Sequence, residues 1–306
     1  MNEELLAAWR ARGAKDFERA TTFDEYQDLV NSFIEPRPSQ RNRFLFRGVP
    51  NAKYDLRPSL ARLVDGRPWV DTAMLHHIET SSTDEFKSKA HIVLDPRFMP
   101  SEPSEEAVSI HWWQLMQHHG GATRLLDWTA SPYVALYFAV SEQIERDCAV
   151  WMVDWGAIHD RMTRLYPKLF QKNVIPLVAS CDYPDRASLG DCVLFVPCRL
   201  PNERMVAQSG WFSCGSLPEC DHAAAMARAV LAENRPGEWT RKIVIPRDSK
   251  QSMSRHLWRM NITHAILYPG LEGLAGAMRR RVDLLRPCEG VTYEFEKGLL
   301  AASKRS

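Results

Sequence analysis

The segment from Ser131 to Glu142 constrains this chain more than any other. Ser131-Pro132 reads as a helix start, with Ser at the N-cap and Pro at the first helical position. The run that follows, Tyr133-Val-Ala-Leu-Tyr-Phe-Ala-Val140, is apolar on nearly every face. Such a helix has no side to turn to water and must be buried. It is also the longest apolar run in the chain and far too short to span a bilayer.

Around this helix the sequence alternates helix and strand signals. Thr22-Phe-Asp-Glu25 is a capping box, and Phe23, Tyr26, Val30 and Phe33 recur at helical spacing until Glu35-Pro-Arg-Pro38 breaks the pattern. Phe44-Leu-Phe46 reads as a short strand ended by Arg47-Gly48. Residues 51–67 read as irregular. Helices are expected over 69–92, with Thr83 as a cap and Phe86 in the core, and over Val108–His118. His118-His-Gly-Gly121 reads as a chain reversal. Strands are expected at Ala149–Asp154, Cys192–Val196, Met205–Ala207, Trp211–Phe212, Lys242–Ile245 and Ile262–Tyr268. Gln208-Ser-Gly210 reads as a tight turn or bulge. Asp248 is placed as the cap of a helix carrying Met253, Leu257 and Met260. A last helix carries Leu271, Leu274, Met278, Val282 and Leu285, with Arg279–Arg281 toward its C-terminal end. No internal repeat or long linker appears.

Charge narrows the function classes. The 306 residues carry a net charge of +1. That balance argues against binding nucleic acid through bulk charge. Arg residues do cluster in 41–67 and at 124, which suits a small, locally basic pocket. The seven Cys are scattered without a C-x-x-C pair, as in a reduced cytoplasmic protein. Cys192/Cys198 and Cys214/Cys220 share a spacing, but no His pair joins them at zinc-finger spacing, so no metal site is expected. The N-terminus lacks the apolar core of a signal peptide. A Walker loop, a dinucleotide G-x-G-x-x-G, a G-x-S-x-G elbow and an H-E-x-x-H are all missing.

Three polar elements remain. Arg47 closes an apolar strand beside Gly48. Its fork suits a phosphate or carboxylate and the Gly permits close backbone approach; the structural alternative is an ion pair with Asp127 or Asp55. The second element is Gln117-His-His-Gly-Gly-Ala-Thr-Arg-Leu-Leu-Asp-Trp-Thr-Ala-Ser-Pro132, leading into the buried helix. The helix N-terminus is a natural anion site, Arg124 could add to it, and Asp127 could orient an Arg or a ribose hydroxyl. The alternative is a structural turn in which His118 and Asp127 satisfy buried backbone groups. The third, Asn202–Phe212, places Glu203 and Gln208 on strand edges; alone it reads as a surface hairpin.

Phe46-Arg47-Gly48, Gln117-His118-His119-Gly120, Thr123–Thr129 and Ala135–Ala139 together resemble the FRG domain family, named for its Phe-Arg-Gly motif. Tyr54–Arg62, Glu85-Phe86-Lys87, Gln208–Phe212 and Ile262–Leu271 extend the resemblance. Gly121-Ala122 departs from the Leu-Pro expected there. Phe46–Gly48 is also similar to the first motif of arginine-serine-glutamate ADP-ribosyltransferases, and Thr129-Ala-Ser131 with its helix to their serine-threonine-serine strand. Their late-strand glutamate corresponds to the region of Gln208. The resemblance implies an α+β fold with a mixed or antiparallel central sheet, an ADP-ribosyltransferase-like core flanked by helices. It implies a domain over 22–290 after an N-terminal extension (1–21) and before a C-terminal tail (291–306).

The function implied is NAD-dependent ADP-ribosyl transfer to a protein or nucleic-acid acceptor, as in a toxin or phage-defence effector with an antitoxin or regulatory protein as partner. Arg47, Asp127, Gln208 and Glu203 are the catalytic candidates. Arg47, Gly48, Gln117, His118, His119, Thr123, Arg124, Asp127, Thr129 and Ser131 are the candidates for binding NAD as substrate. The alternatives are a nucleotide-binding module without turnover, and a nucleic-acid binder using Arg41, Arg43, Arg47, Arg57, Arg62 and aromatic rings. No membrane partner is expected.

Overall fold

The computed structural model describes residues 17–35, 43–95, 99–100, 105–167, 192–198, 203–232 and 239–284. Arg41, Cys181, Asn202, Leu285, Cys288, the 291–306 tail and most of the Glu35–Pro38 break lie outside them. Within them the chain runs β1 (Phe17–Arg19), α1 (Phe23–Ile34), β2 (Phe44–Val49), α2 (Ser59–Leu63), α3 (Thr72–Val93), α4 (Glu105–His118), β3 (Leu125–Thr129) and α5 (Pro132–Val140). It continues with β4 (Cys148–Asp154), α6 (Trp155–Leu165), β5 (Val193–Pro197), α7 (Glu203–Ala207), β6 (Gly210–Gly215) and α8 (His222–Ala232). Last come β7 (Thr240–Ile245), α9 (Lys250–Arg259), α10 (His264–Leu267) and α11 (Leu271–Leu284).

The fold is α+β. One seven-stranded sheet has the order β1-β7-β4-β2-β3-β6-β5. Every neighbouring pair is antiparallel except β1 with β7, so the sheet is mixed. Alternation of side chains across the pleat divides the core in two. Phe44, Phe46, Val150 and Met152 face α1, α5 and α9. Leu45, Val49, Trp151 and Val153 face α4, α6 and α8. All of β4 is buried, as a central strand covered on both faces must be.

The apolar helix is placed as its sequence demands. Ser131 caps α5 by accepting from the Val134 N–H, and six of its residues are buried. Tyr26 of α1 donates its hydroxyl to Pro132 O at 2.7 Å, fixing α1 across the helix start. The Thr22–Glu25 capping box is formed on both sides.

Several sequence expectations are corrected. Met205–Ala207 is part of the one-turn helix α7, since Gln208 N donates to Arg204 O and Ser209 N to Val206 O. Glu203 and Gln208 therefore sit on a helix turn and the turn after it, not on strand edges. Ile262–Tyr268 also contains a helix turn, α10, of which only Leu267 is buried. Short apolar runs of this kind carry no period that separates strand from helix. Asp248 falls in a 3-10 turn before α9, whose N-cap, Ser249, makes no side-chain bond. Thr83 is not a cap. It lies inside α3, buried, donating to Glu79 O and accepting from Trp113 Nε1, while Asp71 caps that helix. Residues 51–67 contain α2. Among the described residues no helix is long and apolar enough to cross a membrane, and no group of His, Cys, Asp and Glu is arranged to hold a metal ion.

Candidate functional site

The sheet is continuous on the β4 side of β2, with six register pairs from Phe44↔Asp154 to Val49↔Ala149. On the β3 side β2 has one, Phe46↔Thr129. Beyond that pair the strands separate, and a cavity of about 240 Å³ opens between them. The residue that follows Phe46 is Arg47. Its Nη1 donates to Asp127 O at 2.5 Å and lies 3.8 Å from the Asp127 carboxylate. A guanidinium thus reaches across the gap where a ladder bond would otherwise be made. Its Nε is buried and has no hydrogen-bond partner. Burial lowers the Arg47 pKa, Asp127 opposes that, and Arg62 adds to it.

The other walls come from distant parts of the chain. Gln114, Gln117 and His118 of α4 form one wall. Helix α4 ends in a glycine cap: Gly120 N donates to Gln117 O and Gly121 N to Met116 O, with Gly120 at φ +86°. This six-to-one and five-to-two pattern is a Schellman motif, and it is what the His118–Gly121 reversal consists of. It leaves His118 in the cavity wall and His119 exposed outside it. His118 Nδ1 is buried without a partner. Burial lowers the His118 pKa, Arg204 and His119 lower it further, and Asp127 partly offsets them. The lowering favours the neutral imidazole.

Arg204, Met205 and Gln208 form the facing wall, with Phe138 and Tyr268 beside them. The Gln208 turn is pinned to β3: Thr129 Oγ1 donates to Gln208 O at 2.7 Å, and Ala130 N donates to Ser209 O at 3.1 Å. Gln208 Nε2 donates to Leu267 O at 2.9 Å, which leaves its amide oxygen and its second N–H for a ligand.

The structure thus gathers Arg47, Gly48, Gln117, His118, Asp127, Thr129 and Gln208 around one cavity. It does not bring His119, Thr123, Arg124, Ser131 or Glu203 into its lining. Arg124 is fully buried in a fork with Glu79: Nε donates to Oε1 at 2.8 Å and Nη2 to Oε2. Burial would lower its pKa, but the Glu79 carboxylate outweighs that and raises it. Thr123 is buried and acts on the wall indirectly, donating its hydroxyl to Gln117 Oε1. The Ser131 hydroxyl is spent on its cap, and the α5 segment that lines the cavity contains Phe138, not the helix N-terminus. Glu203 is exposed on α7. Gly48 is tight because of helix α5: a Cβ there would lie 2.6 Å from Ala139 N and closer still to Ala135 O. Its smallness serves strand–helix packing, not the approach of a ligand.

Arg204, Tyr268, Gln114, Phe138 and Met205 escaped sequence reading as site residues. Arg204 and Tyr268 stand inside segments already noted, but only tertiary contact joins them: the Arg204 guanidinium lies over the Tyr268 ring, 4.5 Å from its centroid.

Beneath the cavity lies a buried relay. Trp128 Nε1 donates to Ser213 Oγ at 2.7 Å, and Ser213 Oγ lies 2.8 Å from His222 Nδ1. Burial, then Arg47, then Arg124 push the His222 pKa down to about 3. The unfolded chain takes up this proton near pH 6.5, the folded one only near 3. Between those values the unfolded state binds more protons, so stability falls as pH falls through this window. The slope contributed approaches about 1.4 kcal/mol per pH unit. Urea denaturation at pH 7, 5.5 and 4 should show a shallower decline in His222→Asn than in the natural chain. Parallel declines would mean that other groups set the acid limit.

Residues 42–148 match the FRG domain. No curated protein and no solved structure gives a significant match. The matched segment runs from β2 to the first residue of β4, so it contains the Arg47, Gln117–His118 and Asp127–Thr129 walls, while Arg204 and Gln208 lie beyond it. The Phe-Arg-Gly strand and the Schellman-capped turn that build this cavity both lie within the segment that matches the FRG domain.

Proposed function

We propose that the cavity between β2 and β3 binds NAD and that the protein is an ADP-ribosyltransferase. The observation that carries this reading is Arg47: a guanidinium on the central strand, with a buried and unpartnered Nε, in a cavity also lined by aromatic rings. Such a group fits an anionic oxygen. About 240 Å³ lies below the roughly 300–1,000 Å³ of pockets that enclose a whole drug-sized ligand. One half of a dinucleotide would sit inside and the rest across the mouth.

In the proposed reaction the bond between nicotinamide and ribose C1′ breaks, and its electron pair leaves with nicotinamide. The ribose carries a developing oxocarbenium charge until an acceptor oxygen or nitrogen attacks C1′ and gives up its proton. Asp127 is the carboxylate placed at the cavity wall beside Arg47, and it would stabilise that charge. Glu203, the other carboxylate candidate, is not in the lining. The Gln208 amide oxygen would accept from a ribose hydroxyl.

A second reading, a nucleotide-binding module without turnover, is favoured by Gln208 itself. A neutral amide tethered to Leu267 O balances a cationic transition state poorly. The nucleic-acid reading loses support. Arg43 is paired with Asp154, Arg57 with Asp65 at 2.7 Å, and Arg62 donates to Arg57 O at 2.6 Å. Arg43 and Arg57 are engaged by carboxylates of the fold, while Arg62 stays exposed.

The test is direct. Saturating NAD should raise the melting temperature, by an amount corresponding to about 2.7 kcal/mol at a hundredfold excess over Kd. Nicotinamide should be released, and Arg47→Ala should lose both signals while staying folded. Stabilisation without nicotinamide would select the binding module; no stabilisation would reject NAD as the ligand.

A further inference from the structure

Arg47 is not the cavity's only arginine. Two acidic side chains line the cavity, Asp127 and Glu142. Asp127 lies 3.8 Å from Arg47, and Glu142 lies 3.6 Å from Arg280 of α11. Arg204 has no acidic partner among the described residues. Its Nη1 makes a long bond to His118 O, 3.4 Å, and its guanidinium carbon lies over the Tyr268 ring. The charge is felt around the cavity, where it helps to lower the pKa of His118 and of His264 and opposes the rise at Tyr268. The lining has two arginines and two carboxylates, but Glu142 is shared with Arg280 outside it, so these five side chains together carry one uncompensated positive charge. A half-buried charge left in that state is costly unless a ligand supplies the counter-charge.

The placement of the two arginines says more. Arg47 projects from the sheet and Arg204 from α7, so they enter the cavity from different walls. Its position over the Tyr268 ring leaves the remaining N–H groups of Arg204 to donate. Arg47 offers the part of its guanidinium that lines the cavity. One monophosphate satisfies one fork; a diphosphate presents two charged centres and can meet both.

We infer that Arg204 is a second phosphate contact, and that the site selects diphosphate over monophosphate ligands. This rests on the reading of the cavity as a nucleotide site but not on NAD being the nucleotide. Arg204 lies outside the segment that matches the FRG domain.

Inorganic pyrophosphate and inorganic phosphate test this without any nucleotide. Affinities would be measured by calorimetry on the full chain, for the natural protein and for Arg204→Gln and Arg204→Lys. The natural protein should prefer pyrophosphate over phosphate roughly 10- to 100-fold, the worth of one charged hydrogen-bonding group. Arg204→Gln should bring the preference close to one. Arg204→Lys keeps the charge and loses the planar fork, so it should fall between; it also serves should the Gln variant not fold. An undiminished preference in a folded Arg204 variant overturns the inference and leaves NAD binding open to its own assay. A preference that depends on Arg204, with no stabilisation by NAD, upholds the inference and rejects NAD. Failure of the natural protein to prefer pyrophosphate overturns it outright.

Discussion

Replacing Glu79 by Ala should destabilise the protein by about 3–5 kcal/mol, although Glu79 lines no part of the cavity. Glu79 and Arg124 are 3% and 2% exposed at their side chains. Their fork is completed by Arg124 Nη1, which donates to Ser216 O at 3.1 Å, and by the Trp113 ring 4.9 Å from the guanidinium carbon. One side chain therefore ties α3, α4, β3 and the end of β6 together. Removing the carboxylate leaves the Arg124 charge in the core, where it can neither give up its proton nor reach water. Arg124→Met should cost a similar amount, because Glu79 is then stranded. The double variant Glu79→Leu/Arg124→Met should cost much less than the sum, since no buried charge remains. Urea denaturation of the three variants measures this. Additive losses would show that the two side chains act separately, and losses below about 1 kcal/mol would show that the fork does not hold these elements together.

The same pair marks where sequence reading reaches its limit. Arg124 stands in a polar motif between two histidines and an Asp, so by residue type it looks like a ligand contact. Its partner is 45 positions earlier on helix α3, and no local pattern connects them. Arg204 is the converse case. It sits in a one-turn helix whose apolar neighbours read equally well as strand, and its meaning comes from Tyr268, which only tertiary packing brings beneath it. What could be read locally was read from strong local physics. A helix apolar on all faces must be buried, Ser-Pro starts it, and His-His-Gly-Gly reverses the chain through a left-handed glycine. Arg47 stood out in sequence because it follows an apolar run; in the structure β2 continues through it to Val49, and its pairing with Asp127, the structural alternative, is formed. The gap beside β2 was not legible, because it depends on where β3 stops pairing.

Gly48→Ala should be among the most damaging single substitutions in the chain, costing about 3 kcal/mol or more, at or beyond the upper end for overpacking a core. The added methyl would meet backbone atoms of α5, Ala135 O and Ala139 N, and backbone cannot rotate aside as a side chain can. Either α5 or β2 has to move. Helix α5 is buried on nearly every face, and β2 is held to β4 through six register pairs, so neither yields cheaply. This separates two meanings of the glycine that look identical in sequence. If Gly48 is small so that a ligand can approach, Gly48→Ala keeps its melting temperature and loses NAD affinity. If it is small so that α5 can pack on β2, the melting temperature falls by about 6–12 °C for a loss of that size, at about 2–4 °C per kcal/mol. Affinity would then fall only because Arg47, next along the strand, is displaced. Arg47→Ala makes the opposite prediction, an intact melting temperature with ligand binding lost. The distances place Gly48 with the helix, so the first loss expected on substituting it is the fold and not the ligand.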